Sequence, residues 1–446
     1  MADFIIKTKK LLLLLGDLLC LYIALLLTLM LRFGIDSLSD QWKSHFLPFS
    51  IVFIFWIVIM YIGESYELKA SYNFANLLNS LFKIFLANLI LAVVIFYFLS
   101  PFFNGAIKPQ RVLIIDVVAS FVLITFWRRF FFLFLKSSKI TNHCLVIGNG
   151  QMCNLLISEI NKRPQLGYSA ICENSIPENL KDYCHKNKID TVVTNLNSTN
   201  DYHGSQKIFE CLSLGINVYN INRFYEKITD KVPVEYIEHG WFLENLSENS
   251  KKGYEFIKRF LDVILSFIGL VISIALIPFI SLIIRIESPG PIFFKQIRTG
   301  KNGKEFLAIK FRSMIQDAEK NGAQWAQIND PRVTRFGKLM RKTRVDEIPQ
   351  LLNIFKGEMS FVGPRPERPE FIEMLSKEIP FYKERLLVKP GLSGWAQLKG
   401  PSYGGSKEET LEKLKYDLFY IKNRSLTLDL SIILKTIKLV LSRKGQ

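Results

Sequence analysis

The stretch Phe260–Ile286 reads FLDVILSFIGLVISIALIPFISLIIRI, and how it meets the membrane decides the architecture of the chain. It is long and apolar enough to cross a bilayer, which takes about 20 residues. Its interruptions are Asp262, Ser266, Gly269, Ser273, Pro278, Ser281 and Arg285. Basic residues stand on both sides, Lys258 and Arg259 before it and Arg285, Lys295 and Arg298 after it. The bias of cytoplasmic loops toward Lys and Arg therefore picks no side. Pro278 removes a helical hydrogen bond near the middle. A re-entrant helix over 260–286 that dips into one leaflet, bends and returns accounts for both features, and a kinked full crossing is the alternative.

Upstream, Leu11–Leu31, Leu47–Gly63, Leu78–Leu99 and Val112–Leu135 are each apolar enough to span, which predicts a four-helix transmembrane bundle over 1–139. Lys7, Lys9 and Lys10 precede the first span, and Arg128, Arg129, Lys136 and Lys139 close the last, so both ends are expected in the cytoplasm of a multi-pass cell (inner) membrane protein. No small-residue cleavage site follows the first span, so a removed signal peptide is not expected. Asp17 and Asp116 fall inside spans, where interhelical hydrogen bonding within the bundle is the expected use.

The 446 residues exceed what one core supports, and 49% are hydrophobic, 36 Phe included, with the apolar residues bunched rather than spread. A net charge of +17 predicts anionic partners, namely membrane lipids and phosphorylated substrates. The Lys and Arg residues are scattered among membrane and turn segments, so no nucleic acid is expected. The six Cys form no CxxC pair, and neither Cys nor His occurs after His239. Chemistry beyond that point must rest on carboxylates, Lys, Arg, Ser, Thr or Tyr.

Between the bundle and 251, the run His143-Cys-Leu-Val-Ile-Gly148-Asn-Gly150 reads as a strand ending in a glycine turn, with a helix over Gln151–Asn161. Thr191–Thr194 and Asn217–Tyr219 are further strands, giving a Rossmann-like α/β module over 140–250 with a parallel sheet. A dinucleotide fingerprint needs a third glycine where Cys153 stands, so the nucleotide fold is degenerate and a structural or regulatory role is expected.

Over 251–446 the ordered motifs are Ser288-Pro-Gly-Pro to Gly300, Lys310-Phe-Arg312-Ser, Asp317-Ala-Glu319, Asp330-Pro-Arg332, Arg341 to Asp346-Glu347-Ile-Pro-Gln, Pro364-Arg365-Pro366 and Lys389-Pro-Gly-Leu-Ser-Gly-Trp395. Pro349 suits the first turn of a helix through Leu351, Leu352 and Phe355 that stops at Gly357, whose free N–H groups would attract an anion. Beside Arg341 and Arg344, the pair Asp346 and Glu347 can act as nucleophile or metal ligand toward a diphosphate, or merely cap the helix. Lys310 and Arg312 lie on a strand and either add positive potential or sit as surface charge.

These motifs resemble the bacterial sugar transferase family, the polyprenyl-phosphate hexose-1-phosphate transferases, and the upstream bundle and module match its larger members. The resemblance implies an α/β catalytic domain with a re-entrant membrane helix on the cytoplasmic face. It implies transfer of a hexose-1-phosphate from a UDP-sugar to undecaprenyl phosphate, with UMP released, to start an exopolysaccharide, capsule or lipopolysaccharide. Asp346 is implied as the nucleophile and Glu347 as the residue that positions Mg²⁺ with it. Arg341 matches a phosphate-binding arginine, and Pro364-Arg365-Pro366 a rigid turn presenting Arg365 to the nucleotide. Glucose or galactose is expected over an N-acetylated sugar, and self-association as a homodimer is left open. The chain departs from the family at Ile277, where members carry Ser before the proline of the membrane helix. A rival with a similar bundle is a membrane-anchored sugar-nucleotide dehydratase or epimerase, which needs a Tyr-x-x-x-Lys pair; Tyr254 and Lys258 have that spacing.

Overall fold

The computed structural model describes residues 2–66, 74–99, 110–137, 142–148, 150–163, 166–194, 202–246, 251–316, 318, 330–401 and 406–441. Asp317 and Glu319 of one motif, and Lys139, lie outside the described residues. The chain forms two compact units, 1–221 and 222–446.

The first unit opens with four long helices, α1 (Ala2–Phe33), α2 (Leu38–Ile62), α3 (Phe74–Leu99) and α4 (Gln110–Ser137). They bury Leu21, Phe49, Trp56, Leu81, Phe85 and Ile124 against one another, while Leu19, Ile54, Phe82, Ile90 and Phe126 face outward. An apolar exterior over a packed interior is what hydrocarbon surroundings select. Thr8–Phe33, Leu38–Ile62 and Leu77–Phe98 are long and apolar enough to cross a membrane; α4 carries Asp116, Arg128 and Arg129 along its length. This is a membrane protein. Asp17 does find an interhelical partner, because Arg128 of α4 grips it with two bonds of 3.2 and 2.6 Å, both side chains fully buried. Asp116 does not: neither of its oxygens has a partner among the described residues, nor do the side chains of Thr28, Asn88 and Ser120.

The α/β region follows as β1 (Asn142–Ile147), α5 (Gln151–Asn161), β2 (Tyr168–Glu173), α6 (Leu180–Lys186), β3 (Thr191–Thr194), α7 (Tyr202–Leu212) and β4 (Asn217–Asn220). All pairings are parallel, in the order β2-β1-β3-β4. The sequence reading found three of these strands and missed β2. Cys153 is buried, and its sulfur lies under the turn, 3.2 Å from where a Cβ on Gly148 would be.

The second unit holds α8 (Ile221–Thr229, entering from the first), α9 (His239–Asn245), α10 (Lys252–Glu287), the antiparallel hairpin β5 (Phe293–Thr299) and β6 (Glu305–Phe311), then α11 (Arg335–Thr343) and α12 (Leu351–Lys356). Then come β7 (Ser360–Val362), α13 (Pro369–Glu378), β8 (Gly391–Ser393) parallel to β7, α14 (Trp395–Lys399), α15 (Lys407–Asn423) and α16 (Leu426–Leu441). Val232, Val234 and Ile237 pack with Val362, Ile372, Tyr382, Leu414 and Tyr420. Residues that the sequence reading assigned to the end of the α/β module thus build the core of the C-terminal unit.

The decisive stretch forms one helix, α10, in which Pro278 is internal. Its start is bonded to β7, since Asp262 accepts Ser360 Oγ at 3.2 Å and the Phe361 N–H at 3.1 Å. Midway, Phe267 lies against Phe355 with ring centroids 6.4 Å apart. At its end Ile280 and Ile284 pack with Phe311 and Met340, and the Glu287 carboxylate takes the Phe336 N–H at 2.9 Å. Ser273, five residues before Pro278, donates to Leu270 O at 2.8 Å.

Candidate active site

Two left-handed residues frame the acidic pair. Thr334 caps α11 through the Gly337 N–H at 3.0 Å, and Arg344 at φ 59° ends that helix. A 3₁₀ turn over Val345–Gln350 then carries Asp346, Glu347 and Pro349 straight into α12, which Gly357 terminates at φ 90°. The expected helix is present, with its start displaced. The N–H groups expected to be free for an anion are engaged, Glu347 N with Arg344 O and Leu351 N with the carbonyls of Ile348 and Pro349. An anion at this site would therefore be met by its cations rather than by a helix terminus.

Asp346 and Glu347 are both buried, yet their surroundings differ sharply. Glu347 Oε1 accepts Lys310 Nζ at 2.8 Å and Arg365 Nη2 at 3.1 Å, and Oε2 accepts Arg344 Nη1 at 3.4 Å. Burial opposes its ionisation, but Lys310, Arg365 and Arg344 outweigh that and hold the carboxyl well below the usual range. Asp346 Oδ1 is buried with no hydrogen-bond partner among the described residues. Burial first, and the Glu347 charge second, push the Asp346 carboxyl above its usual range, against the pull of Lys310, Arg341 and Arg344. One carboxylate is locked in place and its neighbour is poised.

The supporting shell is built from three places. Asn353 on α12 accepts the Ile309 N–H at 3.2 Å and donates to Leu307 O at 2.8 Å and Glu358 Oε2 at 2.6 Å, which fixes β6, and with it Lys310, against α12. Arg341 donates Nε to Ser313 Oγ at 2.8 Å. The Pro364-Arg365-Pro366 turn is held by its backbone: Pro364 O accepts Gly391 N at 2.9 Å, Arg365 O accepts Arg385 Nη2 at 3.0 Å and Pro366 O accepts Arg298 Nη1 at 3.0 Å. Arg385 is itself fixed by Asp417 at 2.9 Å and Tyr382 at 2.8 Å.

The structure thus brings Asp346, Glu347, Lys310, Arg341 and Arg365 together and engages Arg312 elsewhere. Arg312 donates to the carbonyls of Ser288 and Pro289 beyond the end of α10. Gly290, at φ +120°, makes room for it, since a Cβ there would lie 2.3 Å from Arg312 Nη1. Asn353, Ser313, Arg385 and Asp417 were not singled out from sequence; each works through a bond to a distant residue.

The profile described as bacterial sugar transferase matches residues 253–443. A Rhizobium leguminosarum exopolysaccharide production protein is 40% identical over 194 residues, covering 42% of this chain and 96% of the relative. The chain belongs to the bacterial sugar transferase family. Among other relatives of this family member, the UDP-N-acetylgalactosamine-undecaprenyl-phosphate N-acetylgalactosaminephosphotransferase of Aeromonas hydrophila is 40% identical over 260 residues, 58% of this chain and 60% of the relative. The UDP-glucose:undecaprenyl-phosphate glucose-1-phosphate transferase of Xanthomonas campestris is 42% identical over 189 residues, 42% of this chain and 39% of the relative. The matched stretch spans less than two thirds of the length of these last two enzymes. The dehydratase alternative gains no support. Its Tyr254 and Lys258 both bind Asp429 Oδ2, at 2.8 and 2.7 Å, within the sugar transferase unit.

Proposed function

We propose that this protein transfers a hexose-1-phosphate or N-acetylhexosamine-1-phosphate from a UDP-sugar to undecaprenyl phosphate, and so starts assembly of a polysaccharide. The observation that carries the reading is the contrast within the acidic pair: Glu347 bonded to three cations, Asp346 Oδ1 bonded to nothing described. An Asp346 oxygen attacks the β-phosphorus, the bond to the bridging oxygen breaks, and UMP leaves with that oxygen. A phosphosugar-aspartyl intermediate results. A phosphate oxygen of undecaprenyl phosphate then attacks the same phosphorus and frees Asp346. Lys310, Arg341, Arg344 and Arg365 offset the charge of the non-bridging oxygens throughout, the main demand of phosphoryl transfer. The raised basicity of the buried Asp346 favours its attack.

The donor set suits Mg²⁺ in a limited way. Asp346 Oδ1 is open to it, whereas Glu347 already has both oxygens bonded to cations. Mg²⁺ commonly binds through one or two carboxylates plus substrate phosphates, and it would supply charge neutralisation there.

We also infer that α10 is re-entrant or lies within one leaflet, with the catalytic unit on the cytoplasmic face of the inner membrane. The packing of α10 against the same unit near both of its ends, at β7 and at Phe311 and Met340, supports this, since a full crossing would carry one end to the far side of the membrane. A UDP-sugar is made in the cytoplasm, so this side also gives the site its donor.

Wild-type protein incubated with a UDP-sugar alone should gain the mass of one sugar phosphate, and Asp346→Asn should neither gain it nor release UMP. Full turnover by the Asn variant removes Asp346 from the nucleophile role.

A further inference from the structure

A cavity of about 210 Å³ opens at the start of α10, away from the acidic pair, lined by Lys258, Arg259, Lys389 and Arg424 together with Glu255 and Asp262. Most of these charges are accounted for. Lys258 binds Asp429 at 2.7 Å, Arg424 binds Glu255 at 3.1 Å, and Asp262 is bonded to Ser360 and Phe361. Arg259 and Lys389 are left with the Asp262 carboxylate alone, one positive charge in excess. Arg259 gives its guanidinium to the carbonyls of Ile354 and Phe355, both at 2.7 Å, which caps α12 but cancels no full charge. Lys389 Nζ has neither a hydrogen bond nor an ion pair among the described residues. The two converge: a Cβ on Gly357 would lie 3.3 Å from the Arg259 guanidinium carbon and 3.5 Å from Lys389 Nζ. Burial, then the adjacent Arg259, pull the Lys389 ammonium below the usual lysine range, against the opposing pull of Asp262 and Glu255.

The surroundings indicate the kind of anion. Beside and beyond the cavity, α10 exposes Phe256, Phe260, Phe267, Ile272 and Phe279, so that apolar surface lies on several sides of the helix. A ligand with a phosphate at one end and hydrocarbon at the other matches both surfaces. Asp346 lies a 3₁₀ turn and all of α12 away from Gly357, on the order of 15 Å at the rise of such helices. A phosphate in this cavity is therefore not the one under attack at Asp346.

We propose that the cavity binds the phosphate head group of a membrane lipid whose chains lie along the exposed face of α10. The inference does not depend on the transfer reading, because the cavity would hold a lipid in a catalytically inert protein. The test is native mass spectrometry of the purified full-length protein in detergent, titrated separately with phosphatidylglycerol, undecaprenyl phosphate and inorganic phosphate. Wild type should retain a lipid, and Lys389→Gln, which removes no bond within the fold, should bind it about tenfold more weakly. Lys389→Arg should restore binding and Asp346→Asn should leave it unchanged. Tighter binding of undecaprenyl phosphate assigns the cavity to a polyprenyl lipid held apart from the reacting phosphorus, and tighter binding of phosphatidylglycerol assigns it to a bulk phospholipid. Equal lipid retention by wild type and Lys389→Gln overturns the proposal. So does loss of binding in Asp346→Asn, or inorganic phosphate binding as tightly as either lipid.

Discussion

Glu347 is bonded on both oxygens, whereas Asp346 Oδ1 has no partner among the described residues, so the two carboxylates should respond differently to mutation. Glu347→Gln keeps the shape but weakens at least two charge-assisted bonds of about 1.5 kcal/mol each, which predicts a kcat about 100-fold lower in a UMP-release assay. A fall of less than threefold would mean that Lys310 and Arg365 hold their places without it. Asp330 gives a prediction in pH. It accepts the Arg332 backbone N–H at 3.0 Å and the Arg332 side chain at 2.8 and 2.6 Å, which brings its carboxyl down to about 2. The unfolded value is about 4, so the unfolded chain binds the proton first as the solution is acidified. The stabilisation is complete above about pH 4 and disappears as pH falls toward 2. Thermal unfolding of the detergent-solubilised protein should lose several degrees across that window, and Asp330→Asn should flatten the slope.

Asn353 makes two of the bonds that join α12 to β6. Asn353→Ala leaves the Ile309 N–H and Leu307 O unmatched beside α12, which should destabilise the fold by about 2–4 kcal/mol in chemical unfolding and misplace Lys310. Gly357→Ala forces a side chain into φ 90° against the Arg259 guanidinium and should cost about 1 kcal/mol. What the sequence made legible at this scale was local. The apolar spans, β1 and its glycine turn, the Asp346-Glu347 pair and the stop at Gly357 each show within about two dozen residues. The partners of Arg312 were not legible, because an arginine two positions from Lys310 reads the same whether its partner is a carboxylate or the carbonyl of Ser288. Asn353 was invisible for a similar reason, since its bonds reach back more than forty residues to β6. β2 was missed because its pattern, half-buried at Ala170, Ile171 and Glu173, lacks the continuous apolar run of β1.

At the scale of the molecule, α10 decides on which side of the membrane chemistry occurs. With single cysteines introduced as Lys252→Cys and Lys295→Cys in a cysteine-free background, an impermeant maleimide should label both positions in inverted vesicles and neither on intact cells. Labelling of position 295 from outside the cell would make α10 a full crossing and separate Asp346 from its donor. The Asp17–Arg128 pair bears on something else, the order in which the protein is made. Its two halves lie 111 residues apart in the chain, and each alone costs about 2.5–3.5 kcal/mol at the centre of a bilayer. During synthesis α1 must wait, with a bare carboxylate, until α4 emerges. A nascent chain stopped before residue 111 should therefore remain in contact with the insertion machinery, as crosslinking from position 19 would report, while one extended past α4 should be released into lipid. In the Arg128→Leu protein that release should fail.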